Sequence, residues 1–67
     1  MVLMASEARG LADRLRRARR ALGMTQDALA RRLKVSTRQV GRWEAGVQQP
    51  VGLYADRVER FLREAAS

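Results

Sequence analysis

The sequence predicts a small all-α protein, and three observations lead to this prediction. Apolar residues recur at steps of three and four along most of the chain, which is the spacing of one helix face. Capping and helix-breaking residues, among them Gly23, Ser36 and Pro50, divide the chain into four such segments. No segment alternates apolar and polar residues as a half-buried strand does. We therefore expect a bundle of four helices, possibly five, that forms a single domain over residues 1–67.

The first predicted helix is amphipathic and begins at Ser6 or soon after. Its apolar face comprises Leu11, Leu15, Ala18 and Leu22. Ser6 is a favourable N-cap, while a start near Gly10 stays open because glycine weakens a helix interior by about 1 kcal/mol. Gly23 ends the helix, since glycine readily takes the left-handed conformation that follows a helix C-terminus.

The second predicted helix is short and runs to about Leu33. Thr25 is a favourable N-cap, and Asp27 in the first turn complements the positive end of the helix dipole. Ala28 and Ala30 are small enough to let another helix approach closely. We therefore expect a tight crossing between this helix and a neighbour.

Local signals mark Ser36 as the start of the third helix. Ser36 and Gln39 have the spacing of a capping box, and Val35 and Val40 occupy the two positions of a hydrophobic staple. The helix is expected to run from residue 37 to about residue 45. Its polar side chains then point away from the core.

The last predicted helix extends over residues 51–65, and Pro50 fits the position just before it or its first turn. Its apolar stripe comprises Val51, Tyr54, Ala55, Val58, Phe61, Leu62 and Ala65. This stripe follows the a/d pattern of a packed helix pair and is wider than one short core needs. The alternative is that all of it covers the monomer's own core. We predict a homodimer whose interface contains Tyr54, Val58, Phe61, Leu62 and Ala65.

The charge distribution predicts an acidic partner for the first two-thirds of the chain. The net charge is +7, with +4 in residues 1–24, +3 in residues 25–46 and none in the remainder. Such an excess draws a protein to a polyanion such as DNA or RNA. Nearly all of the bases are arginine, which suits bidentate contact with guanine or phosphate, although a GC-rich genome produces the same bias.

The composition excludes several classes of function. Cysteine and histidine are absent and the carboxylates are not clustered, so the usual metal ligands, general bases and nucleophiles are missing. We expect no enzyme activity, no metal and no cofactor. Residues 1–5 are too few for a signal peptide, and no apolar run approaches the ~20 residues of a membrane span. We expect a cytoplasmic protein with no membrane partner and, lacking a second domain, no small-molecule effector.

Residues 24–46 closely resemble the Cro and phage-repressor class of helix-turn-helix proteins, often called Xre-like. The matched features are Gln26 at the opening of the second helix, Ala30 at the helix crossing, Val40 in the core, and the ending Trp43, Glu44, Ala45 and Gly46. The likeness continues on both sides across most of the chain. It implies a lambda-repressor-like fold, a helix-turn-helix at about residues 25–46, and binding of double-stranded DNA by the third helix in the major groove.

The resemblance implies DNA contacts from both helices of the motif. Thr37, Arg38 and Arg42 would face base edges, where an arginine can hold guanine O6 and N7 together. For the arginines a phosphate contact is the alternative. The resemblance also assigns a phosphate to one residue of the second helix, and basic or hydroxyl side chains nearby are further candidates. The expected phosphate contacts are Gln26, Arg31, Lys34 and Ser36.

Two further expectations come from the same resemblance. Arg19 and Glu44 match positions that form an ion pair in some family members, and such a pair would join the first helix to the end of the third. Lys34 stands where the family commonly has glycine in the turn. If this position is left-handed, the lysine adds a strain of about 1 kcal/mol.

These expectations favour a sequence-specific transcriptional regulator, with repression as the favoured role. One alternative is an antitoxin-like or accessory interaction module that uses its last helix. Another is a non-specific RNA or membrane-surface binder, which the neutral last helix and the shortage of exposed aromatic residues disfavour. A steep loss of DNA affinity as salt rises would distinguish a regulator from an interaction module.

Overall fold

The computed structural model of the protein describes residues 2–66, with side chains described from residue 10 onward. These residues form four helices and no strand: α1 (Val2–Ala21), α2 (Gln26–Leu33), α3 (Thr37–Glu44) and α4 (Leu53–Ala66). The predicted all-α class with four helices is confirmed. The possible fifth helix does not occur in the part of the chain that the structure describes.

Helix α1 is longer than predicted at its N-terminal end. It already includes Val2, so Ser6 lies inside the helix and is not its N-cap. Gly23 takes a left-handed conformation with φ of 68° and stops the helix as expected. Leu22 lies in the turn beyond the last helical residue and is half exposed, so its placement on the core face was wrong.

The caps of α2 and α3 are those predicted. The Thr25 hydroxyl accepts a hydrogen bond from the backbone N–H of Ala28 at 3.0 Å. Ser36 and Gln39 form the capping box, because the Ser36 hydroxyl accepts from the Gln39 N–H at 3.1 Å and the Gln39 side chain accepts from the Ser36 N–H at 3.0 Å. These three side-chain acceptors satisfy backbone N–H groups that a helix start leaves without partners.

The turn between α2 and α3 is closed by a left-handed residue. Lys34 has φ of 59° and ψ of 48°, which is the strained conformation considered above. The turn is tightened by a hydrogen bond from the Val35 N–H to the Ala30 carbonyl at 2.9 Å. The lysine therefore costs the fold about 1 kcal/mol relative to glycine.

Helix α4 begins two residues later than predicted. Gly52 has φ of 58°, a value that no α-helix residue adopts, so Val51 is left in the connector and the helix starts at Leu53. Pro50 is buried just before this point. The segment that joins α3 to α4 is therefore longer than the sequence suggested.

One core lies between the four helices. Helix α1 packs on α3 and α4, and α2 packs on the same two helices. The buried residues of this core are Leu15, Leu29, Ala30, Leu33, Val40, Trp43, Val58, Phe61 and Leu62. Ala30 lies in the core, where the predicted close approach of helices requires a small side chain.

The burial of α4 corrects the predicted dimer interface. Val58, Phe61 and Leu62 are almost completely buried against the chain's own core. They are therefore unavailable to a second copy, because a folded partner cannot contact a side chain that its own protein covers. Tyr54 and Ala65 keep partial exposure and are the two members of the predicted interface that a partner can reach. The wide stripe serves mainly the monomer.

Candidate nucleic-acid interface

Helix α3 presents two sharply different faces. Val40, Trp43 and Glu44 are buried on its inner face. On its outer face Thr37, Arg38 and Arg42 are exposed. Thr37 and Arg38 belong to the first turn, and Arg42 lies one turn beyond Arg38, as the 3.6-residue helical repeat requires. The three residues predicted to contact bases are thus brought together on one surface.

Arg38 differs from its two neighbours on this surface. Among the residues that the structure describes, none makes a hydrogen bond or ion pair with Arg38. The Thr37 hydroxyl donates to Asp27 Oδ1 at 2.9 Å, and Arg42 Nε donates to Gln48 Oε1 at 2.9 Å. All five N–H donors of the Arg38 guanidinium are therefore available to an incoming acceptor.

Asp27 is an acidic residue beside this basic surface, and sequence reasoning assigned it only to the helix dipole. One of its oxygens accepts from Thr37, and the other lies 3.2 Å from Arg31 Nη2. The carboxylate thus offsets part of the positive charge at the start of α2. It also occupies the Thr37 hydroxyl, which donates its hydrogen bond to this carboxylate.

The expected ion pair between α1 and α3 is present. Arg19 Nε lies 2.7 Å from Glu44 Oε2, and Arg19 Nη2 donates to Glu44 Oε1 at 3.1 Å. Arg19 Nη1 also donates to the Met24 carbonyl at 2.9 Å, so one guanidinium links three parts of the chain. This bidentate geometry fixes the angle between α1 and α3 more firmly than a single contact would.

The Glu44 carboxylate raises the pKa of the Arg19 guanidinium above its ordinary value, mainly through their hydrogen bond and against the opposing effect of burial. Arg19 therefore stays charged throughout the physiological pH range. Because both members of the pair are largely shielded from water, the pair depends little on salt. It links α1 to α3 through charged groups that solvent screens weakly.

Gln26 also contacts Glu44, the partner of Arg19, and the sequence analysis did not predict this contact. Its Nε2 donates to Glu44 Oε1 at 3.1 Å, so the residue expected to bind a phosphate first joins α2 to α3. Its Oε1 lies next to Gly41, where an added Cβ would be 3.9 Å away. The side chain therefore reaches the border of the outer face of α3, and its second N–H has no partner in this cluster.

Arg16, on the same side of α1 as Arg19, contacts the C-terminal end of α3. Its Nη1 donates to the backbone carbonyl of Glu44 at 2.7 Å, and its other amino group pairs with Asp13. This contact neutralises the negative end of α3. A sequence signal existed, because Arg16 and Arg19 are three residues apart and so lie on one side of α1.

The other candidate phosphate contacts are all on the surface. Arg31 is exposed and forms an ion pair with Asp27, which also accepts from Thr37. Lys34 is exposed in the turn, and the Ser36 hydroxyl is already used as the cap of α3. Arg32, by contrast, turns towards α4. It lies 2.8 Å from Glu64 and sits over the Phe61 ring at 5.6 Å, so it supports the fold.

The described residues contain no helix that is both long enough and apolar enough to cross a membrane. Within them, no three of the side chains that usually bind metal ions come together.

Comparison with protein families gives one match, and it covers the elements just described. A model of the helix-turn-helix family matches residues 15–65, about three quarters of the chain. The search of curated proteins and the search of solved structures give no match. The matched range includes α2, the turn, α3 and nearly all of α4. The chain therefore belongs to the Xre/Cro-like helix-turn-helix family, whose members are DNA-binding proteins of the transcription-regulator type.

Proposed function

We propose that this protein binds double-stranded DNA sequence-specifically by inserting α3 into the major groove, and that it acts as a transcriptional repressor. The observation that carries the proposal is Arg38, which has no partner among the described residues and lies in the first turn of a helix that the core holds rigidly. A side chain at this position reaches base edges when a recognition helix enters the groove. Repression then follows from occupancy of a short operator and needs no catalysis.

Base reading is assigned to the outer face of α3. Arg38 holds guanine through its paired donors, and Arg42 and Thr37 read neighbouring bases after exchanging Gln48 and Asp27 for DNA. These exchanges replace exposed protein contacts, which contribute little to stability. The cost of freeing both side chains is therefore small compared with a bidentate base contact, which is worth about 1–3 kcal/mol.

Phosphate contacts are assigned to groups around that face. Gln26 offers its second N–H, Ser36 its hydroxyl, and Arg31 and Lys34 their charges. Such contacts set the position of the protein on DNA but carry no base information. Together with the +7 net charge they make the affinity fall steeply as salt rises.

The regulator is proposed to act as a homodimer without a small effector. One recognition helix reads only a few base pairs, so selectivity in a genome requires two copies on neighbouring half-sites. The antitoxin-like alternative places the main partner on the last helix. The burial of Val58, Phe61 and Leu62 confines the large exposed apolar side chains of that helix to its first turn, so we favour the DNA-binding function.

Selection of bound duplexes from a random DNA pool tests the proposal, using the wild type, Arg38→Ala and Arg60→Ala. Arg60 is an exposed arginine of α4, so its variant removes the same charge away from α3. The wild type should select a defined consensus. Arg38→Ala should bind that consensus more weakly by about 1–3 kcal/mol and lose preference at one base, whereas Arg60→Ala should keep the consensus.

Three results would decide against the proposal or part of it. Failure to select any consensus, with equal affinity for random duplexes, would overturn sequence-specific binding. An unchanged base preference in Arg38→Ala would reduce that residue to a phosphate contact. An affinity that is insensitive to salt would contradict the electrostatic part of the interface.

A further inference from the structure

A groove between α2 and α4 carries more positive charge than the fold uses. It is bounded by the C-terminal end of α2, the turn that follows and one face of α4, and its charged lining residues are Arg32, Lys34, Arg57, Arg60 and Glu64. We call this feature the α2–α4 groove. It has four bases against one acid, and none of its described lining residues belongs to α3. An excess of bases in a recess attracts an anionic partner.

The bases of this groove have more donors than the fold occupies. Glu64 Oε1 accepts from Arg32 Nη2 at 2.8 Å, so the acid of the groove is already paired. Arg57 Nη1 donates to two carbonyls at the C-terminal end of α2, both at 3.4 Å, which leaves its Nε and Nη2 for other acceptors. Among the residues that the structure describes, none makes a hydrogen bond or ion pair with the side chain of Arg60 or Lys34. The groove therefore offers several charged donors to an incoming acceptor.

Arg57 and Arg60 form a pair on the α4 side of the groove. They are three residues apart on one helix, so their Cβ atoms lie about 5–6 Å apart on the same face. Besides its two hydrogen bonds, Arg57 lies over the Tyr54 ring at 5.8 Å, so its guanidinium is fixed before any ligand arrives. A side chain that is already ordered loses little entropy on binding. The pair is therefore a favourable place for two carboxylates.

The dimensions of the groove favour a short peptide over a small molecule. Its volume is about 230 Å³, below the ~300–1,000 Å³ of typical small-molecule pockets. Along α4 the groove extends from residue 57 to residue 64, about 10 Å at the helical rise, which is the length of about three residues of extended chain. Alternate side chains of such a chain lie on one side about 6–7 Å apart, close to the spacing of Arg57 and Arg60. Carboxylates at alternate positions of a peptide therefore match this pair.

The base of the groove is apolar, which favours a protein partner over DNA. Leu33 and Phe61 line the groove and are almost completely buried. A peptide places an apolar side chain against such a base beside its carboxylates, whereas the backbone of DNA presents phosphates and sugars. The expected base-reading residues belong to α3, which contributes no lining residue to the groove. A partner in the groove therefore leaves α3 accessible.

We propose that the α2–α4 groove binds an acidic segment of another protein, whose carboxylates contact Arg57 and Arg60 and whose apolar side chain packs against Phe61. This inference goes beyond the proposed function and does not depend on it. Because α3 stays free, the acidic partner attaches equally to the free protein and to the protein on DNA. The groove thus provides a second interaction surface, separate from the candidate nucleic-acid interface.

The test uses a labelled, end-capped hexapeptide of alternating glutamate and leucine. One control peptide has glutamine in place of glutamate, and a second has serine in place of leucine. Binding to the full chain is followed by fluorescence anisotropy, and the site is located from amide chemical-shift changes. The acidic peptide should bind most tightly of the three, since only it offers both carboxylates and apolar side chains. Its shift changes should concentrate in residues 32–34 and 57–64.

Charge reversal at Arg60 tests the site itself. Arg17→Glu is the matched control, because Arg17 is also an exposed helical arginine with an acid four residues away, but it lies on α1 outside the groove. Arg60→Glu should weaken binding of the acidic peptide at least about tenfold, because like charges then face each other, while Arg17→Glu should change it by less than about twofold. Both variants should melt like the wild type, which separates loss of binding from loss of folding.

Other results would overturn the inference in distinguishable ways. No measurable binding of the acidic peptide, or equal binding of the glutamine peptide, would remove the acidic partner. Equal weakening in Arg60→Glu and Arg17→Glu would reduce the attraction to net charge without a site. Shift changes concentrated on α3 would mean that the peptide imitates DNA at the recognition helix. A tenfold loss of affinity for the selected duplex in Arg60→Glu but not in Arg17→Glu would assign the groove to DNA instead.

Discussion

The two faces of α3 differ in burial, in contacts and in what a substitution there should change. The inner face contributes Val40 and Trp43 to the core, and Glu44 accepts hydrogen bonds there from Arg19 and Gln26. The outer face makes two exposed hydrogen bonds to neighbouring side chains and leaves one arginine without a described partner. Yet the two faces belong to one helix of eight residues.

In the proposed function, recognition and stability are carried by separate residues of the same helix. An isolated helix of this length is marginal in water, so α3 exists because its inner face is packed and its start is capped. The outer face contributes little to folding. It can therefore carry whichever side chains a DNA site requires. Substitutions on the inner face should lower stability, whereas substitutions on the outer face should lower DNA affinity and leave stability unchanged.

The largest expected effect is that of Trp43→Ala, which attacks the inner face. Removal of this buried ring should lower the free energy of unfolding by about 3–5 kcal/mol, comparable to the whole stability of so small a domain. Thermal melting followed by circular dichroism should show a largely unfolded chain. Arg38→Ala is the control from the outer face and should melt like the wild type. A cooperative melt of Trp43→Ala near the wild-type temperature would show that this ring does not stabilise the inner face.

The next effect is that of Glu44→Gln, which keeps the shape of the inner side chain but removes its charge. The Arg19 guanidinium would then lie largely shielded without its anionic partner, which should cost about 2–3 kcal/mol. Glu59→Gln is the matched control, because Glu59 pairs with Arg14 at 3.9 Å where both side chains are at least half exposed. That control should change stability by less than about 0.5 kcal/mol. If urea denaturation showed equal losses of unfolding free energy in the two variants, burial of the Arg19 pair would not increase its contribution to stability.

The smallest effect concerns the turn, where Lys34 has an exposed side chain but a strained backbone. Lys34→Gly should raise the free energy of unfolding by about 0.5–1 kcal/mol, because glycine takes φ of 59° without steric cost. Lys34→Ala removes the same charge but keeps the strain, so it should bring no gain. Any loss of DNA affinity should be the same in both variants. A gain in Lys34→Ala equal to that in Lys34→Gly would trace the stabilisation to charge rather than to backbone.

Local features of the fold could be predicted from the sequence because their causes are local. The Ser36 and Gln39 capping box, the Thr25 cap and the stop at Gly23 each depend on residues within about one helical turn. The inner position of Trp43 followed from the helical repeat in the same way. The outward position of Arg38 did too, so the centre of the candidate interface was predictable.

Tertiary structure alone decided which partners those faces meet. Periodicity shows that α4 has an apolar side, but it does not show whether that side packs on the same chain or on a copy, and Phe61 proved to belong to the monomer core. Likewise Arg16 and Gln26 reach Glu44 across 28 and 18 residues of chain. The pattern of a segment determines the direction of a side chain relative to its own helix axis. What fills the space in that direction depends on how the four helices pack together.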